Sequence, residues 1–336
     1  MFLENLCYFC IMNELSVHII TRGKDLPVLD DTDLFHSREY FRLIEQTTGA
    51  WPYMVVVVDE SGKVKAHLLV ELCRRDSLLP PYLFSFGRII GEGVYAGDVN
   101  KAVVFDLMIA KLTRFLHRKL CLYIEVSDFK EKMFGYRSLR KNGYFPVRWM
   151  QVRNSLHNKP PFERLSDRTA HAVLRSQRAG VVVREASSEQ EVIAYYRVLR
   201  AYYRTKLHRY IPQESFFINL FHSPRSRIYI TYYKGRVIGG ASRVESMGDG
   251  YLWYVAAQGK RYPTARPLTA TIWHVLEDCH ATGLNHLCFL NVGLPFRRNP
   301  YREFILGFGG KPVSSIRWFR FTIDWVNRLL SWCYKE

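Results

Sequence analysis

The sequence predicts an α/β (α+β) protein made of two similar units in tandem, each a mixed β-sheet flanked by helices. Three observations predict it. β-Branched runs alternate with tight turns and amphipathic helices, the order that layers helices on a sheet. The same succession of elements occurs twice: Tyr136-Arg137 near the end of the first copy stands 165 residues before Tyr301-Arg302 in the second. The chain of 336 residues, 48% hydrophobic and 24% charged, is long enough for two ordinary cores.

The first copy starts at Tyr53. "YMVVVV", "DESGK" and "VKAHLLVEL" read as strand, tight turn and strand. The β-branched run Val55 to Val58 suits a strand covered on both faces. "PPYLFSFGRIIGEG" reads as an aromatic, glycine-rich loop. A helix from about Ala102 to Arg118 follows, with Phe105, Met108, Ile109, Leu112, Phe115 and Leu116 on its apolar face. "LCLYIEV" is a buried strand, and "FGYRSLRKNGYFPV" closes the unit with a short helix, a turn and a strand.

The second copy starts at Ile228. "IYITYY", "KGR" and "VIGGASRVES" repeat the hairpin, and "GDGYLWYVA" adds a strand. The loop "AQGKRYPTARP" leads to a helix from about Pro267 to Thr282, with Leu268, Ile272, Val275, Leu276 and Cys279 inward. Pro267 suits its first turn and Gly283 its C-terminal cap. "LNHLCFLNV" is a strand, and "NPYREFILGFGGKPV" is the second closing segment. As parts of that closing turn, Gly307, Gly309 and Gly310 are structural residues.

Between the copies, "HNKPPFERLSDRTAHAVLRSQRAG" is Pro-rich, then basic and helical. It sets a boundary near residue 165, with an N-terminal domain over 1–165 and a C-terminal domain over 166–336. Residues 189–204 form an amphipathic helix with Val192, Tyr196, Leu199 and Tyr203 inward and Ser187 or Ser188 as cap. The tail "FTIDWVNRLLSWCYKE" is a last amphipathic helix carrying Trp325, Leu329 and Trp332. It either packs on the body or lies on a membrane surface.

A net charge of +17 fits polyanionic partners: phosphate-bearing substrates, RNA or anionic lipid headgroups, with simple solubility as the plainer alternative. The basic residues are scattered with no long tail, so DNA binding is not expected. The seven cysteines sit mostly in apolar runs and read as buried thiols in a reducing compartment. Cys7 and Cys10 form a C-x-x-C, but no second pair at zinc spacing follows, and the histidines show no metal-ligand spacing; no metal is expected. No apolar run reaches membrane-spanning length, and the opening residues lack the marks of a signal peptide, so a cytoplasmic protein is expected. Met12 is an alternative start to Met1.

The segments "RVIGGASRV", "YLWYVA", "YPTARPLTATIWHVLEDCHATGLNHLCFL" and "YREFILGFGG", in that order, resemble the tandem GNAT architecture and, within it, the Fem-type (FemAB-like) acyl- and aminoacyltransferases. The family's closing pattern is matched at Phe304, Gly307, Phe308, Gly309 and Gly310. Its lysine after the closing aromatic, implied to stabilise charge during transfer from tRNA, is Ile305 here. Single-domain GNATs hold an acyl-CoA pyrophosphate in a glycine-rich turn at a helix N-terminus. The matching loop "GKRYPTARP" has Arg261 and Arg266 but only its first glycine. The first-copy loop holds Gly91, Gly93 and Gly97 after Gly87, at an unusual spacing.

Amine acylation needs a neutral amine, a polarised carbonyl and alignment of the two. The candidate catalytic residues are Glu303, Phe304 and Asn291. Glu303 serves as base or ammonium clamp, or else pairs with Arg302. Asn291 orients a carbonyl or merely forms a turn. Arg297 and Arg298 follow a strand end, where α/β sheets place ligands, and hold a phosphate or are plain surface charge; Arg302, on the short helix, is a further candidate for substrate binding. Tyr262 and Trp253 stack on substrate or pack in a core, and Arg261 and Arg266 offer charge to the donor. By the resemblance, the first domain and the cleft beside it receive the acceptor, with Tyr82, Phe86 and Arg88 as its residues.

The resemblance implies an N-acyltransferase or aminoacyltransferase acting on an amine of a cell-envelope or polysaccharide precursor, at the inner face of the membrane. The donor stays open among acyl-CoA, an acyl carrier and aminoacyl-tRNA; the acceptor is an anionic small molecule or glycan precursor. The alternative is a non-catalytic RNA-binding or membrane-surface module on the same fold.

Overall fold

The computed structural model describes residues 15–78, 81–129, 133–204 and 210–334. Cys7, Cys10, Met12 and Pro80 lie outside the described residues. The chain divides into two compact units, Met1–Arg148 with Ser315–Glu336, and Trp149–Ser314.

Unit 1 runs through β1 (Leu15–Ile20), α1 (Arg38–Glu45), β2 (Ala50–Asp59), β3 (Val64–Leu78), β4 (Pro81–Ile90), β5 (Val94–Tyr95), α2 (Lys101–Arg118), β6 (Cys121–Ser127) and α3 (Tyr136–Lys141) into β7 (Phe145–Ser155). Strands β1 to β4 pair antiparallel in sequence order, and β6 joins β4 parallel. Asn100 starts α2, its Oδ1 accepting from the amides of Ala102 at 3.1 Å and Val103 at 3.3 Å. The helix then lays Phe105, Met108, Ile109, Leu112 and Leu116 on Val55, Val57, Ile89, Ile124 and Val126 of the sheet. Pro81–Ile90 is a strand rather than the loop read from its prolines and glycines. Its period-two alternation puts Tyr82, Phe84 and Phe86 on one face, with ring centroids 5.8 and 6.4 Å apart.

Unit 2 takes up the later residues of β7 and continues through α4 (Asp167–Arg178), β8 (Val181–Glu185), α5 (Glu189–Tyr203), α6 (Glu214–Phe221), β9 (Ser226–Tyr233), β10 (Arg236–Ser246), β11 (Asp249–Ala257), α7 (Pro267–Ala281), β12 (His286–Phe289) and α8 (Pro300–Leu306). Its strands run β8-β9-β10-β11-β12, antiparallel except for the parallel β11–β12 pair, and β7 closes the sheet antiparallel to β12. Val192, Tyr196, Leu199 and Tyr203 of α5 are buried as the periodicity predicts. Neither serine side chain caps that helix; instead the Glu191 carboxylate accepts from the Ser187 amide at 2.8 Å.

The chain then passes through β13 (Lys311–Phe321) to α9 (Asp324–Cys333). Residues 317–321 of β13 pair with β6, so the last strand and helix belong to unit 1, and Trp318 lies in its core. Each unit is therefore closed by the strand that follows the other copy's short helix: β7 after α3 completes unit 2, and β13 after α8 completes unit 1. The sequence boundary at residue 165, with the tail assigned to the second domain, differs from this division because it let each copy keep its own closing strand.

Cys73, Cys121, Cys279 and Cys288 are buried, and burial pushes the thiols of Cys121, Cys279 and Cys288 up to about 12. Cys333 on α9 is exposed.

Candidate active site

In unit 2, β11 and β12 begin together and then part. Asp249 to Leu252 pair with His286 to Phe289. Beyond Leu252, β11 continues to Ala257 paired with β10, and no other strand among the described residues pairs with it there. The segment after β12 turns instead to β7: the Met150 amide donates to Gly293 O at 3.0 Å, and Trp149 Nε1 donates to Leu290 O at 3.2 Å. A wedge opens between residues 253–257 and residues 290–293. Along it, the carbonyls of Tyr254 and Val255 accept from the hydroxyls of Tyr195 at 3.0 Å and Tyr203 at 3.3 Å, both from α5. Burial pushes the Tyr195 phenol well up, so it remains a donor.

The mouth of the wedge is set by topology. A helix joining two parallel strands runs back along the sheet, so α7 starts near the C-terminal end of β11. Arg266 stands at its N-cap in the left-handed conformation, φ 46°, with Pro267 next and no side chain capping the first turn. Pro267 has no N–H, and the amides of Thr269 and Ala270 donate to Arg266 O at 3.0 and 3.2 Å, so it is the Leu268 amide and the helix dipole that favour an anion there. Thr271 fixes the turn, its Oγ1 lying 2.8 Å from Pro267 O and 2.6 Å from Thr231 Oγ1 of β9. Arg261 lies over the Tyr262 ring at 5.7 Å, and Tyr262 packs edge-on against Tyr233 at 5.6 Å. Arg261, Tyr262 and Arg266 thus share one loop at this mouth.

The other lip is residues 290–299 and α8. Asn291 sits just past β12 and lines the lip. Asn299, absent from the sequence-based candidates, builds it: Oδ1 accepts from Tyr301 N and Arg302 N, and Nδ2 donates to Val292 O at 2.8 Å. An Asn before Pro at the start of a short helix was the available signal. Arg302 is committed to structure, donating to Leu294 O and Arg297 O, each at 2.8 Å. Glu303 pairs with Arg298 at 3.2 Å, not with Arg302, because Arg302 is turned back into the loop; both partners are well exposed, 54% and 85%. Arg297 is exposed on the same lip.

Phe304 is a packing residue, its ring 5.4 Å from that of Phe308. Trp253 is buried against Phe216 and Tyr254. Ile305 is fully buried in the unit 2 core, so position 305 turns inward and not toward a reactant. The closing glycines make room for close neighbours: a Cβ on Gly309, at φ +86°, would lie 2.4 Å from the backbone oxygen of Arg164, and one on Gly310 2.0 Å from the side-chain Oδ1 of Asn154.

Unit 1 has no matching wedge among its described residues. The β4–β6 ladder continues through the last residue of β4, Ile90 facing Ser127. Of its three candidates, Arg88 is bound to the buried Glu71 at 2.6 Å, and Phe86 is buried and stacked on Tyr123 at 5.2 Å. Tyr82 is half-buried, with Arg75 over its ring at 5.7 Å.

Residues 165–298 match the family model of an acetyltransferase (GNAT) domain. The solved structure of FemX matches with a TM-score of 0.61 at 9% identity, over 94% of this chain and 100% of that one. A tandem GNAT protein from the clavulanic acid biosynthesis pathway matches at 0.55 and 11%, over 92% and 99%. The chain has a tandem GNAT, Fem-like fold. The C-terminal domain of a putative lysylphosphatidylglycerol synthetase from Agrobacterium fabrum matches at 0.52 and 9%, over 82% and 86%. No curated protein matches the sequence. The matched GNAT span lies wholly in unit 2 and holds both wedge strands and α7; it ends before α8. Among the described residues no helix is long and apolar enough to cross a membrane.

Proposed function

We propose that this chain transfers an acyl or aminoacyl group to an amine of a cell-envelope or polysaccharide precursor, working at the inner face of the membrane. The observation that carries the reading is the parting of β11 and β12 beside the uncapped start of α7. The donor's acyl arm lies along residues 253–257 of β11. Its phosphates, whether of acyl-CoA, an acyl carrier or a tRNA end, meet the positive end of the α7 dipole with Arg266 and Arg261. Asn291 orients the carbonyl. The amine nitrogen bonds to the acyl carbon as the carbon–sulfur or carbon–oxygen bond to the donor breaks, and the amine proton leaves to Glu303 or solvent. The similarity to FemX and to a lysylphosphatidylglycerol synthetase domain supports an envelope acceptor.

Calorimetric titration with CoA and acetyl-CoA at two salt concentrations tests the donor. Acyl-sensitive binding makes the chain a CoA-dependent N-acyltransferase; no binding discards that donor and moves charged tRNA forward. Glu303→Gln is expected to raise the acceptor KM about tenfold with a small change in kcat, as for a clamp; a loss of kcat of about 100-fold would make it the base.

A second reading, a non-catalytic RNA-binding module, is favoured by the inward Ile305 and the engaged Arg302. Steeply salt-dependent tRNA binding with no transfer to any acceptor would decide for it.

A further inference from the structure

The last helix presents an unusual surface. None of the described residues of α9 is buried. Trp325, Leu329 and Trp332, at i, i+4 and i+7, are 69%, 51% and 70% exposed, and Ile323 before them is 45% exposed. A large aliphatic and two indoles along one stripe is the reverse of a helix that packs on a core. The helix is nevertheless held firmly. Asn327 Oδ1 accepts from Phe321 N at 2.8 Å, and its Nδ2 donates to Gly143 O at 2.9 Å. The Tyr334 ring stacks on Phe145 at 6.1 Å. The tryptophans are thus displayed on a fixed element.

Beside the stripe is a cavity of about 650 Å³, lined among others by Arg140, Phe145, Arg328, Ser331, Trp332 and Tyr334. Neither Arg140 nor Arg328 is paired with a carboxylate among the described residues. The helix's one acid, Asp324, is in its first turn, where it complements the helix dipole. Two arginines without counter-charge, in an aromatic hollow next to exposed indoles, match an interface with phosphate above and hydrocarbon below. The chain's net charge of +17 adds long-range attraction of the same sign. An acidic peptide would satisfy the arginines but leave Ile323, Leu329 and both indoles without apolar cover. A nucleic acid would find rings to stack on, but an aliphatic between them.

We propose that this face of α9 and the adjoining cavity dock on an anionic lipid bilayer, Arg140 and Arg328 taking headgroup phosphates while Trp325 and Trp332 sit at the hydrocarbon boundary. The proposal locates the membrane contact of the preceding section and does not depend on the transfer chemistry.

Sedimentation of the full chain with vesicles, with no donor or acceptor present, tests it; failure here leaves acyl transfer to be judged separately. Vesicles of equal phosphatidylglycerol and phosphatidylcholine are expected to bind the protein, and pure phosphatidylcholine to bind it far less. The Trp325→Ser, Trp332→Ser double variant is expected to lose about tenfold in partitioning. Arg140→Gln and Arg328→Gln are expected to lose about fivefold each, with most of the preference for the anionic lipid. All four side chains are exposed, with the Arg140 guanidinium 6.0 Å over the ring of the core residue Trp318, and unchanged circular dichroism and melting identify folded variants. Absence of binding by the parent chain overturns the proposal, as does equal binding by the double variant, which would assign the attraction to scattered charge. It is also overturned if acrylamide fails to quench, in lipid-free protein, the emission that the double variant removes, because the face would then already be covered.

Discussion

Arg243, fully buried on β10, lies with Nη2 3.0 Å from Oδ2 of Asp278 on α7. Tyr229 completes the join, receiving from Arg243 Nε at 3.0 Å and donating to Asp278 at 2.6 Å, while Arg227 reaches the other carboxylate oxygen at 2.8 Å. The network fixes α7 on the sheet and with it the position of the α7 N-terminus at the wedge. Glu245 also pairs with Arg243, so removing Asp278 leaves the buried guanidinium one carboxylate where it had two. Asp278→Ala is expected to cost about 3–5 kcal/mol in urea unfolding; a loss under about 1 kcal/mol would mean that the join is not what holds the helix.

Arg266 combines a positive φ with the proposed role in binding the donor. Arg266→Gly removes the charge and relieves the backbone, so the two effects separate. Donor affinity is expected to fall about tenfold or more, as for a lost charge-assisted contact, while stability rises by about 1 kcal/mol. Retained affinity in calorimetry would remove Arg266 from the phosphate site.

Restoring the Fem-type lysine is not expected to restore anything. Ile305→Lys puts an ammonium into the unit 2 core, and the expected result is a loss of at least about 4 kcal/mol or failure to fold. A stable Ile305→Lys protein with increased turnover would show that α8 can rotate this position outward.

Acid should weaken the attachment of α5. The Arg184 guanidinium hydrogen-bonded to Glu191 holds that carboxyl down at about 2, below its ordinary value of 4.5. A depressed folded value means the contribution is complete above the unfolded value and is lost as pH falls through the window from 4.5 toward 2. Urea midpoints measured across that window should fall less steeply for Glu191→Gln than for the parent chain. Equal slopes would place the acid sensitivity elsewhere.

Fragments offer a direct check on the division into units. Residues 149–314 contain all six strands of unit 2 and are expected to fold alone with a cooperative melt. Fragments 1–165 and 166–336 each lack a closing strand and are expected to melt without cooperativity or aggregate through the open edge. Cooperative folding of 1–165 would show that β7 can replace β13.

Much of the fold was legible because its signals are local. The Val55–Val58 run, the apolar face of Phe105 to Leu116 and the Pro267 and Gly283 punctuation each depend on neighbours within a turn or two. Strand β4 was missed because its aromatic alternation is framed by Pro81 and Gly91, which read as loop. The exchange of β7 and β13 was not legible, since either copy's closing strand has the alternation to pair with either sheet. The loop carrying Arg261 and Arg266 was found from the family pattern, and the structure gives it a position at a helix start. What could not be read were commitments between distant residues: Arg302 to the carbonyls of 294 and 297, Arg88 to Glu71, and the tyrosines of α5 to the edge of β11. Those depend on which side chains the topology brings together.

The exchanged closing strands have a consequence for synthesis. A ribosome delivers this chain from its N-terminus, yet the first unit to be made is the last that can be finished. Strands β1 to β6 must wait, with β6 bare along one edge, while some 180 further residues emerge. The second unit, contiguous in the nascent chain, can close before Trp318 reaches the first core. A premature stop between residue 314 and Trp318 would therefore spare the unit with the proposed active site and abandon the one made first.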